Sequence, residues 1–455
     1  MIKLVSFLLI FCTGMLFTAC GETTASEPPM EYPESPELPP ENPDDPDVEI
    51  KDINSTVTAE AIIKGSQWEP QVKEQWFIKA EQDIEKNRRG DMTITVLDAS
   101  GLPIPDAQVT ATMKQHEFNF GGALAPEDLR DSPVKKQKVL DLFNMITFGN
   151  AMKWRNDEAS MPYTVPVLDW LVENGIKVRG HALIWGAWKN MPDGFEAKYG
   201  NNAAALKTVM DERINTKVPF WGDRIYEWDV FNEPSGSYDA MDLCGWGIMD
   251  EYLKRVRELE PNIKLYINEY GYLWGATNEK HWTWLNDLLS GFKNNGTPLD
   301  GLGIQLYPKA KLDMPSIVAN FDRLAQTGLE LKITEYGHQQ APENMSDEIK
   351  GENYFNVLHA AFANKANTGV IWWGAIGGII KQNNELTPMG EILAYLAFHK
   401  WRTNAKGKTT SDGVFKTRGY YGEYEITVTA NGKTKTVPIK LATGGETNFE
   451  IRMNE

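Results

Sequence analysis

An α/β fold is what this sequence predicts: a (β/α)₈ TIM barrel carrying a small β-sandwich module formed by the N- and C-terminal segments. Three observations carry the prediction. Between about residues 115 and 407, short apolar runs alternate with amphipathic stretches, as strands and helices do in parallel α/β architecture. Eight such runs can be read, the number of parallel strands in a barrel of roughly 250 residues. Several runs end in polar residues, and barrel strands present functional groups at their C-terminal ends. A doubly wound sheet is the competing arrangement, and it gives no reason for polar groups at the ends of nearly every strand.

The 455-residue chain opens with Lys3 and a short apolar run from Leu4 to Phe17, the pattern of an export signal and too short for a good transmembrane helix. Leu16-Phe17-Thr18-Ala19-Cys20 resembles a bacterial lipobox. The resemblance implies cleavage before Cys20 and lipidation of its thiol; a plain signal peptide with a chance cysteine is the alternative. Residues 1–20 therefore read as a lipoprotein signal peptide. Residues 21–50 hold ten acidic residues, eight prolines and neither lysine nor arginine. Such a composition cannot bury a core, so residues 21–66 are expected to form a disordered tether. The tether supplies much of the net charge of −17, which leaves the remainder mildly acidic and nucleic acid an unexpected partner. Cys12 lies in the signal and Cys20 would carry lipid, so Cys244 is left alone and no intrachain disulfide is expected.

Residues 67–114 read as a helix from Pro70 to about Asn87, followed by two strands. Trp76, Phe77, Ala80 and Ile84 share one side of the helix. Met92 to Val96 alternates, Ser100-Gly101-Leu102-Pro103 turns, and Ala107 to Met113 alternates again. Residues 408–455 have the same character. Tyr424, Ile426 and Val428 alternate, Asn431-Gly432 is a hairpin signal, and Val437, Ile439 and Leu441 follow. Neither end has strands enough for a stable sheet, so the two are expected to pair into one sandwich. Val96 to Gly101 and Gly419 to Tyr424 resemble parts of prealbumin-like modules. Two unconnected β-segments are the alternative.

Residues 115–407 hold the eight barrel runs: Phe118–Ala123, Met145–Phe148, Val178–Trp185, Glu227–Phe231, Leu265–Asn268, Gly301–Leu306, Leu331–Thr334 and Val370–Trp373. Trp228 to Phe231 is apolar enough for a core, yet the run delivers Asn232 and Glu233 at its end. Leu331 to Thr334 repeats the pattern with Glu335. Two glutamates at the ends of two buried strands point to glycosidic bond hydrolysis.

Five motifs, in order, resemble those of family 10 glycoside hydrolases, the group typified by endo-β-1,4-xylanases. They are Asn150-Ala151-Met152-Lys153-Trp154, Arg179 to Trp185, Trp228 to Glu233, Asn268-Glu269-Tyr270 and Ile333-Thr334-Glu335. The resemblance implies a retaining endo-glycosidase, with β-1,4-xylan as the default polysaccharide. Glu233 would be the acid/base and Glu335 the nucleophile. Asn232 would bind the sugar 2-hydroxyl, and Asn150 and Lys153 hydroxyls on the non-reducing side. His181 would donate to a sugar hydroxyl, with a satisfied core histidine as its alternative. Trp185 and Trp373 would wall the cleavage subsite. Trp188, Trp372 and Tyr270 are further aromatic candidates, and Asn268 would support the site from behind.

Four positions depart from the family pattern. Gly149 stands where the family has a glutamate. Gln305-Leu306-Tyr307 stands for Gln-x-His, and Gly337 for the aspartate that partners that histidine. Tyr307 can then donate to Glu335. Gly374, Gly377 and Gly378 replace the usual strand-8 loop, and a more open or mobile loop is expected. A modified or sulfated polysaccharide is the alternative substrate, using the space at Gly149. A non-catalytic, cell-surface glycan-binding lipoprotein is the alternative class. No cofactor and no metal are expected, since no residue cluster has metal-ligand spacing. A monomer is expected, reaching the membrane only through its lipid, as an outer-membrane lipoprotein at the cell surface.

Overall fold

The computed structural model describes residues 50–273 and 279–453. The signal peptide, Cys20 and most of the acidic tether lie outside the described residues.

The tether is shorter than its composition implied. Helix α1 (Ala59–Ser66) forms within the predicted disordered stretch. Thr58 caps it by accepting from the Ala61 amide at 3.2 Å. Val57, Ala61 and Ile62 are buried in the main core. The acid- and proline-rich run ends near residue 50, and the residues after it carry enough apolar surface to pack. Helix α2 (Gln75–Arg88) starts later than Pro70, with Phe77, Ala80 and Ile84 on its buried face as the spacing required.

Strands β1 (Arg89–Leu97) and β2 (Gln108–His116) follow. The barrel strands are β3 (Asn119–Leu124), β4 (Met145–Phe148), β5 (Lys177–Ile184), β6 (Glu227–Asn232), β7 (Lys264–Tyr270), β8 (Gly301–Leu306), β9 (Glu330–Tyr336) and β10 (Asn367–Trp373). All pair in parallel, and β10 closes the ring on β3 from Gly369↔Asn119 to Trp373↔Ala123. Helices such as Asp157–Glu173, Ala203–Trp221 and Asp347–Ala363 connect them. The strands are buried along nearly their whole length, which is why they read as apolar runs and not as alternation.

The last strands are β11 (Asn404–Lys408), β12 (Val414–Tyr420), β13 (Gly422–Ala430), β14 (Lys433–Leu441) and β15 (Asn448–Arg452). One sheet has the order β12-β1-β15 and the other β11-β2-β13-β14. A single core of Met92, Ile94, Val96, Val109, Ala111, Ile426, Val428, Leu441 and Ile451 joins them. Each N-terminal strand thus sits between C-terminal partners. Ala430 pairs with Lys433 across Asn431-Gly432, and both turn residues have positive φ, at 49° and 76°. The module reaches a few residues further into the chain than 114 and 408, because β2 runs to His116 and β11 starts at Asn404. Arg88 ties this end to the barrel by donating to the carbonyls of Phe362, Asn364 and Asn367.

Candidate active site

The two glutamates sit where their strands end. β6 stops at Asn232, and Glu233 turns the chain with φ of +52°. That region costs a non-glycine residue roughly 1–3 kcal/mol and is held only where surroundings dictate it. Here the Glu233 amide donates to Asn268 O at 2.7 Å, and its carbonyl accepts from the Gly236 and Ser237 amides at 3.0 and 2.8 Å. Its carboxyl accepts from Gln305 Nε2 at 2.8 Å and from Trp185 Nε1 at 3.2 Å.

Glu335 lies in β9, 6% exposed. Asn268 Nδ2 donates to its Oε1 at 2.7 Å and also to Asn232 Oδ1 at 2.8 Å. Tyr307 OH donates to its Oε2 at 2.7 Å. Burial pushes the Glu335 carboxyl above the usual range; His181 and Tyr307 pull it back, the Glu233 charge adds to the rise, and Lys153 opposes it. The charge of Glu233 therefore reaches Glu335. Burial and the charge of Glu335 push the Tyr307 phenol up, so it stays a donor.

Lys153 extends over the same cleft. Its ammonium donates to Asn150 Oδ1 at 2.8 Å and lies 4.6 Å from the Trp185 ring and 5.4 Å from the Trp373 ring. Beside them, a Cβ added at Gly149 would meet only Trp373 Cζ2, at 3.6 Å. A side chain would fit there, and its absence leaves room next to Lys153 and Trp373.

Beneath the site runs a chain of buried charges. Arg179 pairs with Glu227 and Asp229, all at most 1% exposed. Lys332 Nζ donates to Glu227 Oε2 at 2.6 Å and to Asn119 Oδ1 at 3.0 Å. Burial opposes charge on Glu227, but Lys332 and Arg179 overcome it and hold the carboxyl at about 2. Asp229 Oδ2 accepts from His181 Nδ1 at 2.8 Å, and the His181 ring packs edge-on against Trp373 at 5.2 Å. His181, 2% exposed, is thus aimed by Asp229 towards Trp373 and Glu335.

One expectation needs correction. Trp372 does not wall the cleft: it is 3% exposed and packs on Tyr336, Tyr354 and His338. Side chains of successive strand residues point to opposite faces, so only one of Trp372 and Trp373 can face the mouth. The strand-8 glycine loop is tight at one end and open at the other: Gly377 is exposed, and a Cβ there would meet nothing within 4 Å. Ala375–Gly378 is a kinked turn in which Ile376 and Gly377 are not helical, with Gly374 and Gly377 at φ of 74° and 101°. A side chain at Gly378 would collide with the Trp372 ring. Trp188, by contrast, is half-buried, and Tyr270 is exposed at the end of β7.

Sequence reasoning missed four contributors. Gln305 holds Glu233, and its signal was a polar side chain ending a buried strand. Ser237 Oγ accepts from Trp185 Nε1 at 3.0 Å. Gln339 fills the space above Gly337 and donates to Trp373 O. Glu269, which burial pushes up to about 8, accepts from the Ser235 amide at 2.6 Å and pins the turn after Glu233.

Tyr307→Phe tests the Glu335 environment. A hydrogen bond to a charged group contributes about 1.5–3 kcal/mol, so kcat/KM should fall roughly tenfold to a hundredfold. Loss of the donor leaves the ionised carboxylate less stable and raises its pKa further. Glu335 then needs a higher pH to ionise, and the acid limb of the pH–rate profile should move upward.

Residues 109–378 match the family model described as Glycosyl hydrolase family 10. The Anti-sigma-I factor RsgI6 of Acetivibrio thermocellus is 30% identical over 375 residues, covering 79% of this chain and 48% of the relative. An Endo-1,4-beta-xylanase of Agaricus bisporus is 28% identical over 306 residues, 63% of this chain and 90% of the relative. Endo-1,4-beta-xylanase A of Thermoanaerobacterium saccharolyticum is 25% identical over 56% of this chain and 24% of its own length. The chain spans about half or less of the length of the first of these and of the last. Among solved structures, xylanase 10B of Thermotoga petrophila RKU-1 in complex with xylobiose superposes with a TM-score of 0.55 at 22% identity, covering 62% of this chain and 95% of that one.

Proposed function

Because the chain belongs to glycosyl hydrolase family 10, we propose that it is a retaining endo-β-glycosidase that cleaves within β-1,4-xylan. One observation supports the reading: Glu233 and Glu335 lie at the same ends of their barrel strands, near enough for the charge of one to act on the other, and each is oriented by its own donors, Gln305 and Trp185 on one, Tyr307 and Asn268 on the other. Retention needs one carboxyl to protonate the departing oxygen and one carboxylate to attack the anomeric carbon.

Glu335 attacks while Glu233 gives its proton to the leaving oxygen. The bond to the leaving sugar breaks and an ester to Glu335 forms. Glu233, left as a carboxylate once it has given up its proton, then takes a proton from the incoming water. Water attacks the anomeric carbon, Glu335 leaves as carboxylate, and the configuration is restored. Asn232, fixed by Asn268 at 2.8 Å, is placed to bind the 2-hydroxyl of the reacting sugar. Asn150 and Lys153 hold the neighbouring sugar, and Trp185 and Trp373 supply the walls. His181, held by Asp229, lowers the charge cost at Glu335.

A second reading, a substituted or sulfated polysaccharide, is favoured by the room at Gly149 beside the Lys153 cation. Product analysis separates them. Incubation with xylan and with algal polysaccharides, followed by NMR of the first products, should show β-anomers released from xylan. An initial α-anomer would sink the double-displacement reading. No reducing ends from any polysaccharide would leave the non-catalytic glycan-binding lipoprotein. For the N-terminal segment we propose export and lipid attachment at Cys20, which mass spectrometry of the membrane-extracted protein tests.

A further inference from the structure

The loop after β9 holds Gln339, which takes no part in the two-glutamate chemistry yet is built into the wall beside it. β9 ends at Tyr336, and Tyr336↔Trp372 is the last pair of its ladder with β10. Trp373 lies one residue past that pair, still aligned with Ala123 of β3 on the other side of β10. The Trp373 carbonyl accepts from Gln339 Nε2. A side chain thus continues the joint between β9 and β10 where backbone pairing stops, and it satisfies a carbonyl that the ladder leaves over.

The surroundings of Gln339 are fitted to it. A side chain at Gly337 would collide with Gln339 Oε1, and a Cβ at Gly374 would lie 2.8 Å from its Nε2. Gly374 also has φ of 74°, which suits glycine. His338 anchors the turn from below. Its ring packs edge-on against Trp372 at 5.2 Å, and its Nε2 lies 3.2 Å from the Tyr336 hydroxyl. The Ala341 amide donates to His338 O at 3.0 Å, closing a turn with Gln339 at its first corner. Gln339 is exposed, but it is held at its backbone and at its tip.

What it holds is the strand end that carries the Trp373 indole. That ring meets His181 edge-on at 5.2 Å and Lys153 at 5.4 Å. No side chain backs it at Gly149, where a Cβ would meet only Trp373 Cζ2, at 3.6 Å. The direction of the indole therefore depends on its backbone. Ala123 fixes that backbone on one side and Gln339 on the other.

We infer that Gln339 is a positioning residue for Trp373: it clasps the loop after the nucleophile strand to the end of β10 and so sets the indole that walls the cleavage subsite. This deepens the proposed function and rests on it.

The test is hydrolysis of xylohexaose by the full chain, followed at low conversion so that slow variants stay measurable. Gln339→Met keeps the length without the donor, and it should lower kcat/KM about fivefold. Gln339→Glu should fall equally at neutral pH, because a carboxylate cannot donate. In acid its protonated carboxyl can donate to Trp373 O again, and the gap to the parent at the same pH should narrow. In a Trp373→Ala background, adding Gln339→Met should cost nothing further, since the ring to be positioned is gone. Unchanged kcat/KM in Gln339→Met, with the parent active, overturns the clasp alone. So does Gln339→Glu equal to the parent at neutral pH, since no donor would then be needed. A fivefold loss that persists in Trp373→Ala also overturns it, because Gln339 would then act through some other group. A parent that leaves xylohexaose intact overturns this inference together with the proposed function.

Discussion

Glu335→Gln is expected to lower the release of reducing ends from xylan by at least about 10⁴-fold, because the group that forms the covalent bond is gone. The fold should not suffer. Glutamine keeps the volume; with its amide oxygen towards Asn268, its NH2 faces the Tyr307 hydroxyl, which can accept where it donated before. Melting temperature and substrate affinity should therefore stay close to the parent's. Glu335→Gly with added azide adds a chemical control. Azide can attack from the vacated side, and its product carries the opposite configuration from normal turnover. Unchanged activity in Glu335→Gln would place the nucleophile elsewhere and undo the mechanism. The corresponding change at Glu233 has a different signature. Substrates with good leaving groups, which need no proton, should keep much of their first-step rate.

Arg179→Met should be the most destabilising single change in the barrel interior. Arg179 is fully buried between Glu227 and Asp229, and removing one partner of a buried ion pair costs about 3–5 kcal/mol. Lys332 would be left to neutralise Glu227, while Asp229 would keep only His181. Urea unfolding should show a large fall in midpoint. Activity should fall as well, because His181 takes its orientation from Asp229. A midpoint within experimental error of the parent's would mean that the buried network does not hold the barrel together. Replacing all of its members by apolar residues is a separate matter and could be neutral for stability.

Much of the architecture was legible because strands buried on both faces are continuous apolar runs. Met145–Phe148 and Gly301–Leu306 have the same limits in sequence and structure. Asn431-Gly432 announced its hairpin through residues that tolerate positive φ. The start of folded structure before residue 66 was harder to read, since α1 is short and takes its stability from burial of Val57, Ala61 and Ile62 in the main core, a tertiary effect. In the site, the glutamates and the Tyr307 contact could be read, because each lies at a strand end next to recognisable neighbours. Gln305 was legible only as a polar strand end and Ser237 not at all, and the partner of neither could be read. They meet Glu233 and Trp185 across 72 and 52 residues of chain, and no local pattern encodes such a meeting. Trp372 was misjudged because the resemblance outweighed the simple alternation of strand side chains.

The interlacing of the small sandwich has a consequence for biosynthesis. β1 and β2 are central strands whose neighbours, β11 to β15, come from the far end of the chain. Translation at about 5–20 residues per second leaves them without those neighbours for tens of seconds while the whole barrel is made. For that interval, two apolar strands with open edges emerge beside a folding domain, a situation that favours wrong pairing. A premature stop just after the barrel would make the condition permanent. Such a product should need chaperone protection to stay in solution, even though every residue of its cleft is intact.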